Sequence, residues 1–294
     1  MQHTRPSAPP RRPRLGRARL VAWPPCAAHS RRRPPCSIPQ SAPHINGVYY
    51  DGLAFDRGTM ARVRKVLERY SKRPPLIDFH SGWRASATVE YLGLWAFVDS
   101  LWLGEGYAYD TRSPTSWLIE MSGLAFGMFS DMMGRGNPWK GMLFGSTGRF
   151  GCTNPSPMWR AWDALRINQT DMVGFWEPRP PVTLLTEADA GGPGRANRTS
   201  KRARRRLSDE SFLVTSFVAP GMRTIVALAH WDQRVPLRPV WLQPKWAKLQ
   251  LDPKRVRRVR APDIEGFQTR GEWRLDEPIA VPPARGLLLV LEES

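Results

Sequence analysis

From Ile45 onward the chain alternates short apolar runs with amphipathic stretches, a texture that predicts repeated strand–helix units. Asn46–Tyr50 is a β-branched and aromatic run closed by Asp51-Gly52. Gly58–Tyr70 then sets Met60, Val63, Val66, Leu67 and Tyr70 on one side of a helix and Arg62, Lys65 and Arg69 on the other. Pro74-Pro75 ends that helix, and Leu76–Phe79 makes the next strand, with Asp78, His80 and Ser81-Gly82 at its end. Further strands are expected at Ser100–Leu103 before Gly104-Glu105-Gly106 and at Trp117–Ile119 before Glu120. Two more are expected at Gly141–Phe144 before Gly145-Ser146-Thr147 and at Asp171–Phe175 before Trp176-Glu177. Met158–Leu165 predicts a helix with Trp159 and Trp162 on one face.

A short strand whose C-terminal end carries polar residues and glycine is what a β/α barrel requires, because its reactive groups gather at that face. A doubly wound open sheet is the alternative. However, Asp51-Gly52-Leu53-Ala54-Phe55-Asp56-Arg57 is neither a dinucleotide fingerprint nor a phosphate loop. The six candidate strands fall short of the eight of a full barrel. The expected fold class is therefore α/β, a partial (β/α)8 TIM-type barrel over residues 45–186 that lacks its front, with Asn46–Tyr50 as its fourth strand. Beyond it, Phe212–Val218 and Thr224–Trp231 predict a hairpin around Pro220-Gly221, followed by strands at Val256–Ala261 and Gly286–Leu291. Residues 211–294 thus read as a small antiparallel β-sandwich domain.

The formal charge of +18 changes this picture only at the edges. Residues 1–44 hold nine Arg and no acid, residues 195–206 hold seven Lys or Arg and no acid, and these tracts account for all but two of the excess charges. The patterned part is nearly neutral, so no nucleic-acid partner is expected. Residues 1–44 read as a disordered Arg/Pro-rich leader, and 187–210, with Gly191-Gly192-Pro193-Gly194 and Lys201–Arg206, as a disordered basic insertion. No run approaches the ~20 apolar residues of a membrane helix, so no membrane partner is expected. The first residues also lack the apolar core of a secretory signal, and the compartment stays unassigned. Cys26, Cys36 and Cys152 form neither a metal spacing nor a disulfide framework, and no cofactor is expected.

The candidate chemistry lies in acids at strand ends. In glycoside hydrolysis one carboxyl protonates the leaving oxygen and a second attacks or stabilises the anomeric carbon. Asp51 and Glu105 are the leading pair, closing what count as the fourth and sixth barrel strands, and so able to face each other across the mouth. Each has a structural alternative, capping the next helix or pairing with Arg57 or Arg84, and Asp56-Arg57 reads as an ion pair at a helix start. Asp78 and His80, two apart on a strand, point the same way and suit substrate hydroxyls better than a metal, which would need a further ligand. Glu120 and Glu177 also close strands, as second-tier candidates. Trp102, Trp139 and Trp176 stand near strand ends where an indole can stack on a sugar ring, although core packing is the default for Trp. Neither a Ser-His-Asp nor a Cys-His arrangement is apparent and no Gly-x-Ser-x-Gly elbow occurs, which excludes the usual acyl-transfer machinery.

Five ordered motifs can now be set together: Gly47-Val48-Tyr49-Tyr50-Asp51-Gly52 with Asp56-Arg57, Ile77-Asp78-Phe79-His80-Ser81-Gly82, Leu101-Trp102-Leu103-Gly104-Glu105, Gly136-Asn137-Pro138-Trp139-Lys140-Gly141-Met142, and Ala261-Pro262-Asp263-Ile264-Glu265-Gly266-Phe267-Gln268. From Ile45 to about Glu292, apart from the insertion, the chain resembles the proteins similar to glycoside hydrolase family 123. The resemblance implies a barrel hydrolase with an accessory β domain and a carbohydrate substrate. Characterised members of that family act on β-linked N-acetylgalactosamine through an adjacent Asp-Glu pair, the substrate's own acetamido group being the nucleophile. This chain departs from that pattern, since Asp209-Glu210 lies in the insertion and Asp276-Glu277 in the β domain, neither at a predicted barrel-strand end. The expectation is a glycoside hydrolase-like domain with Asp51 as nucleophile or stabiliser, Glu105 as acid/base, and Asp78 and His80 on sugar hydroxyls. A non-catalytic carbohydrate-binding domain or inactive remnant of a truncated barrel is the alternative.

Overall fold

The computed structural model describes residues 46–51, 56–80, 92–133, 136–148, 154–186, 211–234 and 237–293. The leader, the basic insertion, the three cysteines, Ser81, Gly82 and Arg84 lie outside the described residues.

Four strands form a parallel sheet in chain order: β1 (Gly47–Asp51), β2 (Leu76–His80), β3 (Ser100–Leu103) and β4 (Phe129–Met132). Parallel neighbours need a crossover between them, and helix α1 (Arg57–Tyr70) supplies the first. Asp56 caps α1, its carboxylate accepting from the Thr59 amide at 3.0 Å and the Thr59 hydroxyl at 2.7 Å. These bonds hold the Asp56 carboxyl below its ordinary range. Asp56 thus serves α1 through its own oxygens. Met60, Val63 and Leu67 pack on the core, whereas Val66 and Tyr70 are exposed, so the buried stripe is narrower than the sequence period suggests. Arg64 ties α1 to the start of β3 through Asp99, which also accepts from the Ile77 amide at 2.7 Å.

The strands alternate sharply. Tyr50, Ile77, Phe79, Leu101, Leu103 and Met132 point to one face and are buried in the larger core cluster. The other face carries Tyr49, Asp51, Asp78, His80, Ser100, Trp102 and Asp131, with the exposed Leu76 and Phe129 toward the strand starts. Parallel strands buried on both sides read as continuous apolar runs; these instead keep one face for polar groups.

Two expected strands are helical. Trp117–Ile119 lies in a π-helical turn, Trp117–Met121, that continues from the helix Pro114–Ser116, and Gly141–Phe144 falls in the helix Pro138–Gly141 and the 3-10 turn Met142–Phe144. Both begin alike: Ser113 Oγ accepts from the Ser116 amide at 3.1 Å and Asn137 Oδ1 from the Lys140 amide at 2.9 Å, each followed by proline at the first helical position. That Ser-Pro or Asn-Pro opening is a helix-start signal that outweighs the local apolar run.

A second correction concerns Asp171–Phe175. Its strand, β5 (Asp171–Val173), pairs antiparallel with β7 (Phe212–Ala219) and so lies outside the parallel sheet. The remaining strands are β6 (Val182–Thr186), β8 (Arg223–His230), β9 (Pro239–Pro244), β10 (Arg258–Ala261), β11 (Gly271–Arg274), β12 (Ile279–Ala280) and β13 (Gly286–Glu292). They make a six-stranded sheet, β11-β10-β13-β8-β7-β5, and a three-stranded one, β12-β9-β6. Val214 and Val226 of the larger sheet share one apolar cluster with Leu184 and Val240 of the smaller. The opposite face of β7 and β8 presents Phe217, Ile225, Ala227 and Ala229 to the core that also holds Met142, Leu143 and Phe144. The central strands are therefore buried on both sides, which joins the antiparallel unit to the parallel one.

Candidate active site

Strand register builds the site. Asp51 stands opposite His80, His80 opposite Trp102, and Trp102 opposite Asp131, so one row of side chains crosses the C-terminal edge of the parallel sheet on its polar face. One step toward the strand starts, Asp78 lies on the same face and accepts from the Ser100 hydroxyl at 2.8 Å.

His80 is the centre of the row. Its side chain is only 8% exposed, and Nδ1 lies 3.0 Å from Asp51 Oδ1 while Nε2 lies 3.5 Å from Glu105 Oε2. Met133 Sδ also approaches Nε2 at 3.2 Å, and the Trp102 ring packs at 5.4 Å, tilted by 53°. Asp51 is half exposed and Glu105 a third exposed, so both carboxylates lean on a buried imidazole and reach solvent. A neutral imidazole donates from one nitrogen and accepts at the other. Bonding to both acids at once therefore takes one further proton, on the ring or on a carboxyl.

Glu105 follows β3 directly. Gly104 between them has φ +98°, a left-handed conformation that turns the chain sharply, and a side chain there would run into the Tyr109 hydroxyl. The loop 104–113 lines a cleft of about 570 Å³ whose walls include Glu105, Tyr107, Tyr109, Asp110, Met133 and Gly136, a size that suits a small ligand. Burial and, next, the neighbouring Glu120 carboxylate push the Tyr107 phenol well above its ordinary pKa.

The structure brings Asp51, His80, Glu105 and Trp102 together, with Asp78 one step below. It places the other sequence candidates elsewhere. Trp139 stacks on Phe267 at 5.6 Å, donates to the Phe267 carbonyl at 3.1 Å and carries the Arg285 guanidinium 3.9 Å from its ring centre, at the junction with the antiparallel unit. Trp176 stacks on Phe144 at 5.7 Å, and Glu177 is exposed beside it on the turn after β5. Glu120 sits in the π-helical turn against Tyr107.

Asp131 went unnoticed in the sequence. It is buried in the same row, its Oδ1 3.5 Å from the Thr147 hydroxyl, whose oxygen accepts from Trp159 Nε1 at 2.8 Å. Its strand, Phe-Ser-Asp-Met, has neither a β-branched residue nor a polar–apolar alternation to announce it. Among the described residues no cluster of three His, Cys, Asp or Glu is arranged to hold a metal.

The fold is an α/β unit, with consecutive parallel strands that carry acids at their C-terminal ends, backed by an antiparallel unit, and the family comparison assigns it. Residues 40–151 match the model for the glycoside hydrolase 123 TIM-barrel domain, and residues 200–292 match that for the glycoside hydrolase 123 C-terminal domain. The chain belongs to the glycoside hydrolase family 123-like proteins. No curated protein matches it. Among solved structures, a GH27 β-L-arabinopyranosidase variant from Geobacillus stearothermophilus in complex with arabinose is 11% identical, with a TM-score of 0.45 over 85% of this chain and 58% of that one. The wild-type form of that enzyme is 12% identical, with a TM-score of 0.39 and the same coverage. The chain thus spans 58% of the length of either neighbour. No described helix is long and apolar enough to cross a membrane.

Proposed function

We propose that this chain is a glycoside hydrolase domain that works on a carbohydrate at the C-terminal edge of its parallel sheet. In this reading β1–β4 are successive strands of a β/α barrel, and the two antiparallel sheets, which take in β5 and β6 as well as the strands of 211–294, form a sandwich against it. Asp51 acts as nucleophile or stabiliser and Glu105 as general acid/base. His80 and Asp78 hold sugar hydroxyls, and Trp102 offers its indole to a ring. The observation that carries the reading is the convergence of two solvent-reaching carboxylates on one buried imidazole, Asp51 at 3.0 Å and Glu105 at 3.5 Å. Two carboxyls of different exposure on either side of one imidazole can divide the roles of acid and base, as glycoside hydrolysis requires. Asp131, in the same row, would add a further acceptor for hydroxyls.

Family 123 chemistry through an adjacent Asp-Glu pair finds little support here. Asp276-Glu277 lies in the turn after β11, where Asp276 pairs with Arg274 at 2.9 Å, and Asp209-Glu210 lies outside the described residues. The test is hydrolysis of a panel of nitrophenyl glycosides by the intact chain. Asp51→Asn and Glu105→Gln should each lower turnover about 100-fold or more, the usual worth of a positioned acid or base. Unaltered turnover in Asp51→Asn would remove that residue from the chemistry. Glycan binding without hydrolysis in the wild type would favour a non-catalytic carbohydrate-binding domain.

A further inference from the structure

The loop 104–113 carries Glu105 and lines the cleft, yet contains no strand or long helix. Its own bonds are short turns, Tyr107 to Gly104 at 2.9 Å and Thr111 to Ala108 at 3.1 Å. What fixes its course is a set of buried side-chain donors directed at its carbonyls. Trp117 Nε1 donates to the Tyr109 carbonyl at 3.1 Å, Lys140 Nζ to the Asp110 carbonyl at 2.8 Å, and Trp231 Nε1 to the Arg112 carbonyl at 3.0 Å. These donors lie 8, 30 and 119 residues from their acceptors, so three separate segments converge on three carbonyls between Tyr109 and Arg112. Asn137 adds a bond from Nδ2 to the Asp110 carboxylate at 2.8 Å.

The donors also brace one another. The Trp231 indole meets Trp117 edge-on at 5.5 Å, and Lys140 Nζ sits 4.5 Å from the centre of the Trp231 ring. Lys140 is fully buried, where an amine is costly and an apolar chain of similar length would fill the space more cheaply. Its partners are a loop carbonyl and an indole face, which gives the amine a task specific to the loop. Trp231 directly follows β8 and so belongs to the antiparallel unit.

We infer that Trp231 and Lys140 are positioning residues for the loop 104–113, so that the antiparallel unit braces the loop that lines the cleft and sets where Glu105 stands relative to His80. The consequence for catalysis rests on the glycosidase reading; the positioning itself does not. Loosening either contact frees the segment that begins at the left-handed Gly104, and the 3.5 Å approach of Glu105 to His80 is the first thing such freedom alters.

The experiment is amide hydrogen exchange on the intact chain, comparing wild type with Trp231→Phe, which keeps an aromatic ring but removes the N–H. The amides of Tyr107, Thr111 and Arg112 should exchange about five- to tenfold faster, the worth of one buried hydrogen bond, while β7 and β8 keep their protection. The His80 ring-nitrogen resonances, which report Glu105 alongside, should move in the same variant. Unaltered loop exchange overturns the proposal, and so does equal acceleration through β7 and β8, which would mark Trp231 as a core residue only. Should Trp231→Phe not fold, Lys140→Met is read at the same amides with the same two outcomes. No carbohydrate enters the measurement, so failure of the glycosidase reading and failure of this one are separately visible.

Discussion

Replacing Lys140 by Met should flatten a rise in stability that the wild-type protein shows as pH increases from about 7 to about 9.5. Burial, opposed by the Asp110 and Asp232 carboxylates, pulls the Lys140 amine down from 10.5 to about 8 in the folded protein. A base whose folded pKa lies below its unfolded value binds fewer protons when folded, so between about 8 and 10.5 the unfolded chain holds the extra proton and stability climbs with pH. Below about 8 the cost is fully present, because the charged amine must be buried or discharged on folding. At about 1.4 kcal/mol for each pH unit between the two values, the full cost is on the order of 3 kcal/mol. Of this, about 2 kcal/mol should be recovered between pH of about 7 and about 9.5. The other displaced groups act outside that window. Asp56, Asp232 and Asp276 are held below the usual carboxylate range, the phenols of Tyr50 and Tyr107 are raised, and the guanidinium groups of Arg64 and Arg274 are raised further above their already high ordinary range. Urea unfolding followed by tryptophan fluorescence at several pH values, in wild type and Lys140→Met, isolates the difference. Parallel stability curves for the two proteins would refute the argument, as would a wild-type gain on acidification.

Three further outcomes are expected. Gly104→Ala should lose more than about 1 kcal/mol of stability, since it forces a left-handed conformation and drives a methyl group against the Tyr109 hydroxyl; equal urea midpoints would contradict this. Gln268→Met should cost about 3 kcal/mol, because Gln268 accepts from the Leu288 amide at 2.7 Å and donates to the Leu288 and Pro262 carbonyls at 2.9 and 2.7 Å, all at the buried flank of β13. A shift in thermal midpoint of less than a degree or so would show that water replaces the amide. Trp102→Ala should weaken glycan binding about tenfold or more in calorimetric titration while the cooperative unfolding transition persists, since the indole is only partly buried beside His80.

Much of the parallel unit was legible in the chain because each element carried its own local signal. Val48, Tyr49 and Tyr50 announced β1, and the proline pair before Leu76 together with the apolar residues of Leu76–Phe79 announced β2. Ser100–Leu103 was bounded by Gly104 as an edge must be, and the Pro220-Gly221 turn marked the β7–β8 hairpin, where Gly221 has φ +70°. The failures are as local in origin. Trp117–Ile119 and Gly141–Phe144 look like strands until the Ser113-Pro114 and Asn137-Pro138 openings are given their weight. Asp171–Val173 is a strand as expected, but an isolated apolar run carries no information about which sheet it joins.

The sequence by itself picked out candidates for chemistry: an acid, a histidine and a second acid, each placed where an apolar run stops, in a chain whose patterned part is nearly neutral. Their assembly was a matter of tertiary structure. Register decided that Asp51 faces His80 and that Trp102 and Asp131 continue the row, because pairing between strands is a long-range choice that no single strand encodes. Packing decided that Trp139 and Trp176 serve protein partners while Trp102 stays beside the imidazole. It also brought Trp231, 119 residues from Arg112 along the chain, against the loop that carries Glu105. Spacing fixes local periodicity, whereas contacts between distant segments depend on how whole faces bury one another, and that is settled only once the chain has folded.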